Sequence, residues 1–461
     1  MVNEFVNILK TQGTTDFLKY PSMILGGTVA LRALYNWNKE RRNILKRSSL
    51  KKAHGILFGK QKGKIVYSPT NSEGHIAVFG GSGLGKTSAI LIPTLQSWTG
   101  TSFVIDISGD ICKNISDPNK LVYEPANVHT TPYNIFGAID SLHTESERTQ
   151  ALEELAYLLM PEEPNMNETS LFFLREGRKI LTASLIAFYA QGMDFIPICE
   201  LIVTSNWREL FEEIDRTGNP KASAYITSFE GANEVTTAGC KQSCDGALKL
   251  FALNDIVKQT IRRPSKKERA FSPEILENQS VYILIEDSKL ELYAPLLHII
   301  TAQTLEFLSN RAPESENTIL LALDEFASLG KLNITPALRK LRKKNVRIMM
   351  LTQSMADLDL IYGHAERSAM MNNYSYKVVL GANDTETQEY FAKLIGYKNI
   401  TKNSTSKNGK RITYTTSEAK DFAIEPSALA HLKNELILLH PDGFTKLKKH
   451  FYYKKTLNFM N

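Results

Sequence analysis

From His75 onward the chain alternates short apolar runs with stretches whose apolar residues recur every three or four positions. The runs HIAVF (from His75), SFVIDI (from Ser102), SVYILIED (from Ser280), TILLALDE (from Thr318), VRIMMLTQ (from Val346) and YKVVLGA (from Tyr376) are rich in β-branched residues and apolar on both faces. Such runs predict the central strands of a parallel sheet covered by helices, an α/β fold. Between about Ser141 and Ala270 the strand signal stops. There ERTQALEELAYLLM, LFFLREGRKILTASLIAFYAQ and NWRELFEEID show helical spacing, punctuated by Asn219-Pro220. The pattern predicts a mostly parallel sheet interrupted by an all-α inserted domain. The expected divisions are an N-terminal membrane-proximal segment with a basic flank (1–52), the first part of a nucleotide-binding domain (53–140), the helical insertion (141–270) and the second part of that domain (271–461). Thr401 to Ser417 is rich in hydroxyl and basic residues, and its Asn408-Gly409 predicts a hairpin turn.

Length and composition narrow the class. At 461 residues two or three domains are expected, and 43% apolar with 23% charged residues is the balance of a globular chain. A net charge of +6 permits a polyanionic partner without requiring one. The four cysteines, Cys112, Cys199, Cys240 and Cys244, are too few and scattered for a disulfide framework. Cys240 and Cys244 share a helix face but have no third ligand nearby in sequence, so buried thiols are expected in place of a zinc site.

The N-terminus adds a second theme. Met23 to Leu31, MILGGTVAL, continues through Arg32 to Trp37 and is bounded by Tyr20 on one side and by Tyr35 and Trp37 on the other. It is short for a spanning helix, which needs roughly 20 apolar residues. Lys39, Arg41, Arg42, Lys46, Arg47, Lys51 and Lys52 follow it as a basic run suited to a cytoplasmic flank or an anionic lipid surface. Two readings stand open: a membrane helix or interfacial anchor, and an amphipathic helix that docks on a partner. Basic residues after the apolar run, not before it, argue against a cleaved signal peptide.

The stretch HIAVFGGSGLGKTSAILIPTL carries the chemistry. Four glycines fall within six residues between an apolar strand and a helical run, which a packed core has no use for. Gly80, Gly85, Lys86 and Thr87 fit the phosphate-loop pattern in the strand-to-helix context it requires. Gly80, Gly81, Ser82, Gly83, Leu84 and Gly85 would wrap phosphates with backbone N–H groups, continued by Lys86, Thr87 and Ser88 at the helix start. Lys86 is expected to reach the β- and γ-phosphates and Thr87 to hold Mg²⁺. Asp324 and Glu325 end a buried strand, where ligands collect in open α/β sheets, as a metal-side acid and a water-orienting acid respectively. Gln353 ends the VRIMMLTQ run where it can sense the γ-phosphate. Thr335-Pro336 is read as the N-cap and first residue of a helix carrying Arg339, Lys340, Arg342, Lys343 and Lys344. Most of these form a solvated face, and one arginine is a candidate finger for a neighbouring subunit's site.

Together GSGLGKT with LIPTL and its in-helix Pro93, VIDISGD, PYNIFG, LLALDEFASLGKL, LTQSMADLDLIYG and GANDTETQEYFAKLIG resemble the TraG/TraD-type coupling proteins of type IV secretion and conjugation. The similarity runs from about His54 to the C-terminus. The resemblance implies a RecA-like P-loop ATPase using ATP and Mg²⁺, with a helical insertion facing cytosol and substrate. It also implies a homo-hexameric ring at the cytoplasmic face of the bacterial inner membrane, with ATP between subunits. Such a ring would deliver relaxase-bound single-stranded DNA or protein substrates to a secretion channel. By motif position Lys86, Thr87, Asp324, Glu325 and Gln353 keep the roles above, and Arg342 best matches the arginine finger.

Two departures bear on that picture. The family usually reads Asp-Pro-Lys-Gly-Glu where this chain has Asp106, Ile107, Ser108, Gly109 and Asp110. Family members also commonly carry two membrane helices before the phosphate loop, against one apolar segment here, so attachment is expected to be peripheral or through a single N-terminal helix, with dependence on a partner left open. The alternatives are a double-stranded DNA translocase of the FtsK or HerA kind, and a nucleotide-gated docking receptor with little hydrolysis. Glu325 beside Asp324 favours hydrolysis.

Overall fold

The computed structural model describes residues 45–162, 166–265, 268, 270–313, 315–408 and 411–453, with the backbone alone at 402–408 and 411–415. Its strands are β1 (Lys46–Ser48), β2 (Gly55–Gln61), β3 (Lys64–Pro69), β4 (His75–Phe79), β5 (Thr101–Asp106), β6 (Leu121–Tyr123), β7 (Val281–Leu284), β8 (Ile319–Leu323), β9 (Val346–Thr352), β10 (Tyr374–Val379), β11 (Tyr397–Asn408), β12 (Arg411–Phe422), β13 (Glu435–His440) and β14 (Gly443–Lys448). Twelve of them form one sheet in the order β1-β3-β2-β14-β13-β10-β4-β9-β8-β5-β7-β6. From β10 to β6 every neighbouring pair is parallel. From β13 to β1 the pairing is antiparallel.

The six apolar runs coincide with β4, β5, β7, β8, β9 and β10, and every residue of β4, β8 and β9 is buried. Burial on both faces follows from the strand period of two. Ile76 and Val78 face the core that contains Ile90 and Leu91 behind the phosphate loop. Ala77 and Phe79 face the opposite core, which continues without a break into Phe136, Leu185, Phe195 and Phe251. That second core therefore joins the sheet to the helices between β6 and β7.

Those helices include Glu145–Leu159, Glu168–Ala190, Phe195–Thr204, Trp207–Arg216 and Glu234–Leu253. Their starts are chemically marked: Thr144 and Asn206 form capping boxes with Glu147 and Glu209, and Asn167, Asp194 and Asn233 accept from first-turn N–H groups. Cys199, Cys240 and Cys244 are buried free thiols, whereas Cys112 is half-buried. Burial pushes the Cys240 thiol up to about 11, which keeps it protonated.

Two local expectations change. The helix after β8 runs Ile334–Leu341 with Asn333 at the N-cap position, so Thr335 and Pro336 lie inside its first turn. Proline is accommodated there because first-turn N–H groups have no intrahelical acceptor. The hydroxyl-rich hairpin is longer than expected: β11 and β12 pair from Tyr397↔Phe422 to Asn408↔Arg411 as a separate two-stranded sheet. Gly409 of its expected turn lies outside the described residues, as does the apolar segment at 20–37. Among the described residues no helix is long and apolar enough to cross a membrane.

Candidate nucleotide-binding site

Because β4, β9, β8 and β5 are parallel neighbours, their C-terminal ends meet at one edge of the sheet. The phosphate loop follows β4, Gln353 follows β9, Asp324 and Glu325 follow β8, and Asp106 ends β5. One strand, β9, thus stands between the loop and the paired acids.

The loop is anchored by Gly80 N–H donating to the Thr352 carbonyl at 3.2 Å and closes on itself through Leu84 N–H to Gly81 at 3.3 Å. Gly83 and Gly85 hold φ of 73° and 98°, the left-handed region that disfavours any side chain. Lys86 then opens a π-helical turn, Lys86–Leu91, in which Ile92 N–H reaches back to the Thr87 carbonyl; the α-helix Ile92–Ser97 continues from it. The wide turn lies directly before Pro93, whose ring would otherwise press on the carbonyl four residues back.

Five of the predicted side chains make two sets of contacts across the sheet edge, Lys86 and Gln353 on Glu325 and Thr87 on Asp324. The Lys86 ammonium is 5% exposed, donates to the Gly80 carbonyl at 3.0 Å and pairs with Glu325 Oε1 at 3.1 Å. Gln353 Nε2 donates to Glu325 Oε2 at 3.4 Å. Thr87 Oγ1 donates to Asp324 Oδ1 at 3.4 Å.

Glu325 has φ 45° and ψ 52°, an unusual backbone for a residue with a Cβ. The following turn holds it there: Ser328 N–H donates to the Glu325 carbonyl at 2.8 Å, and Phe326 stacks on Tyr362 with centroids 5.6 Å apart and rings 3° from parallel. Asp324 is almost fully buried, and burial pushes its carboxyl up to about 7; the Glu325 charge adds to this and Lys86 opposes it. A buried acid beside further acids is a site that a divalent cation would relieve, and the hydroxyl–carboxylate pair of Thr87 and Asp324 fits Mg²⁺.

The departing loop at Asp106 is organised by that residue. Its carboxylate accepts from Gly109 N–H at 2.8 Å and Cys112 N–H at 2.7 Å, while burial pushes its carboxyl up. Arg342 is elsewhere. It pairs with Glu73 Oε2 at 3.3 Å on the surface, beyond the N-terminal ends of β4 and β9. The seven residues of β9 separate that edge from Gln353, a span of about 23 Å at strand rise. The structure therefore does not bring Arg342 to its own chain's phosphate loop. Sequence reading missed the segment after β14: Lys449 Nζ donates to the Leu84 carbonyl at 2.9 Å, and Tyr452 N–H donates to the Ser88 carbonyl at 3.1 Å. No local pattern signals a contact across that separation in sequence.

Comparison with known proteins places this geometry in context. The chain is 25% identical over 424 residues to Protein VirD4 of Rhizobium rhizogenes, covering 87% of this chain and 62% of that protein. It therefore spans about three fifths of the length of the VirD4 relatives it matches. Its fold matches plasmid coupling protein TrwB in complex with the ATP analogue ADPNP, with a TM-score of 0.68 at 18% identity over 89% of this chain and 92% of that one. It likewise matches TrwB in complex with ADP and Mg²⁺, with a TM-score of 0.64 at 18% identity over 84% and 86%. The RecA-like P-loop fold expected from the motifs is thereby established. A family model described as type IV secretory system conjugative DNA transfer matches residues 31–461, and the chain belongs to that family.

Proposed function

We propose that this chain is an ATP-hydrolysing coupling motor that recruits DNA with its relaxase, or protein cargo, and drives it toward a type IV secretion channel. The observation that carries the reading is the Lys86 ammonium, held between the Gly80 carbonyl and Glu325 at the sheet edge where Thr87 meets Asp324. A scaffold that binds no nucleotide has no use for a buried lysine in a glycine loop. The TrwB complexes with ADPNP and with ADP and Mg²⁺ support ATP and Mg²⁺ as the ligands here.

Mg²⁺ held by Thr87 and Asp324 would supply positive charge to the β- and γ-phosphate oxygens. Lys86 exchanges its Glu325 partner for the incoming phosphates. Glu325, released but still oriented by Gln353, accepts a hydrogen bond from the attacking water and takes up its proton. Gln353 touches the acid and follows Thr352, whose carbonyl accepts Gly80 N–H of the loop, which supports a role in registering loss of the γ-phosphate. Arg342, remote from its own loop, serves a neighbouring subunit of a homo-hexameric ring. The helices between β6 and β7 face the cargo, and residues 1–52 lie at the membrane surface on its cytoplasmic side.

The test is ATP turnover by the full chain with and without single- or double-stranded DNA, beside Lys86→Ala and Glu325→Gln. Turnover stimulated by single-stranded DNA and lost in both variants supports the coupling motor. Stimulation by duplex alone identifies a double-stranded DNA pump. ATP binding with turnover no higher than the variants, at high protein concentration and with DNA present, would mean a nucleotide-gated docking receptor.

A further inference from the structure

After β14 the chain returns along the phosphate loop and is tied to it at three successive points. Lys449 Nζ donates to the Leu84 carbonyl at 2.9 Å. Phe451 packs so closely on Gly85 that a Cβ there would lie 3.0 Å from its ring. Tyr452 N–H donates to the Ser88 carbonyl at 3.1 Å. Gly85 and Ser88 bracket Lys86 and Thr87, so the aromatic segment stands beside the turn that holds phosphates.

Tyr453 completes the arrangement. Its ring rests on Phe451, with centroids 5.4 Å apart and an angle of 34°, and meets Tyr452 edge-on at 5.3 Å and 84°. Despite these contacts it is 58% exposed. A ring braced by two other aromatics but open to water offers a pre-set flat π surface at small further entropic cost. Phosphates do not use such a surface. Of the parts of a nucleotide, the base does, because each base has a π face that stacks on aromatic side chains.

We infer that Tyr453, seated on Phe451, is the stacking surface for the base of the nucleotide whose phosphates lie along Gly80 to Ser88. This rests on the phosphate-loop reading above and adds the recognition element that separates a nucleotide from a bare polyphosphate. Phe451 acts as the positioning residue, because its contact with Gly85 sets the platform's distance from the loop.

Calorimetric titration of the full chain with Mg²⁺-ATP and with Mg²⁺-tripolyphosphate, which carries the phosphates without sugar or base, tests it. Tyr453→Ala is expected to raise the Kd for ATP about tenfold, the scale of one stacked base. It leaves the Kd for tripolyphosphate unchanged, and Tyr453→Phe restores ATP binding to within about twofold. An equal shift for both ligands, or none, in Tyr453→Ala overturns the assignment. So does wild-type chain that binds tripolyphosphate as tightly as ATP, an outcome that leaves the phosphate-loop reading intact. Wild-type chain that binds neither ligand removes both readings together.

Discussion

The Lys86 ammonium lies 3.1 Å from Glu325 Oε1, so the lysine of the phosphate loop and the acid at the end of the neighbouring-but-one strand are joined as an ion pair. The pair ties two catalytic candidates 239 positions apart in numbering (325 minus 86) to one spot. It also makes their substitutions distinguishable. Lys86→Ala removes the proposed charged contact to phosphate and should weaken ATP binding by about tenfold to a hundredfold. Glu325→Gln keeps the size of the side chain and removes the proton acceptor, so ATP should bind within a few-fold of wild type while turnover falls by about a hundredfold or more. Equilibrium binding and steady-state turnover on the same preparations check the split. Equal loss of binding in both variants would contradict it.

Asp324 makes stability depend on pH in an unusual direction. Its carboxyl is pushed from 3.8 up to about 7 in the folded chain, chiefly by burial. The folded state therefore holds this proton more tightly than the unfolded state, and stability falls as pH rises from about 4 to about 7. Thermal melts of wild type and Asp324→Asn in a chelator, at pH 5 and pH 8, isolate the effect from other groups. Wild type should lose more stability than the asparagine variant over that interval. A parallel loss in the two proteins would remove the argument.

His75 is a buried neutral histidine with a defined tautomer. Its Nε2–H donates to the Leu338 carbonyl at 2.9 Å, and its Nδ1 accepts Ile348 N–H at 2.9 Å. Burial lowers its pKa from 6.5 to about 4, with Arg347 and Arg342 adding to the effect. This contribution to stability is present above pH 6.5 and is lost as pH falls toward 4. Nitrogen NMR should find the Nε2–H form through neutral pH. His75→Leu orphans the Ile348 N–H and should cost about 2–3 kcal/mol in denaturant titration; a cost below about 0.5 kcal/mol would show that the bonds carry little.

Arg342 and Glu73 form an ion pair with side chains 47% and 37% exposed. Such a pair contributes less than about 1 kcal/mol. Under the proposed ring assembly, Arg342→Ala should leave the melting temperature and ATP affinity of the chain unchanged yet lower turnover. Mixing Arg342→Ala with Lys86→Ala should recover activity, because mixed rings pair an intact loop with an intact arginine. Recovery absent at every mixing ratio would exclude a role for Arg342 across the subunit boundary.

Strand identity was legible wherever burial is two-sided. In HIAVF and TILLALDE, no polar face interrupts the run, and local composition alone marks a central strand. The phosphate loop was legible for a related reason. Gly83 and Gly85 adopt left-handed backbone, and that demand is written into residue type. β2 and β14 were harder to read: they are neighbours in the sheet through Lys448↔Lys60, a pairing that neither segment announces. The first turn of Ile334–Leu341 was misplaced by two residues because proline fits any of the positions whose N–H is unbonded.

By itself, then, the sequence determined the residue types that nucleotide chemistry requires, the order of the six central strands and of the helical stretch between them, and the family to which the motifs point. These depend on local constraints of φ, side-chain period and charge. Only the tertiary structure decided that β9 stands between the loop and the acids, that Lys86 is paired with Glu325, that Arg342 lies at the far edge, and that Phe451 packs on Gly85 with Tyr453 against it. Those relations come from strand order and from packing between segments hundreds of residues apart, where shape and burial of the whole chain, not the neighbours of any one residue, select the partner.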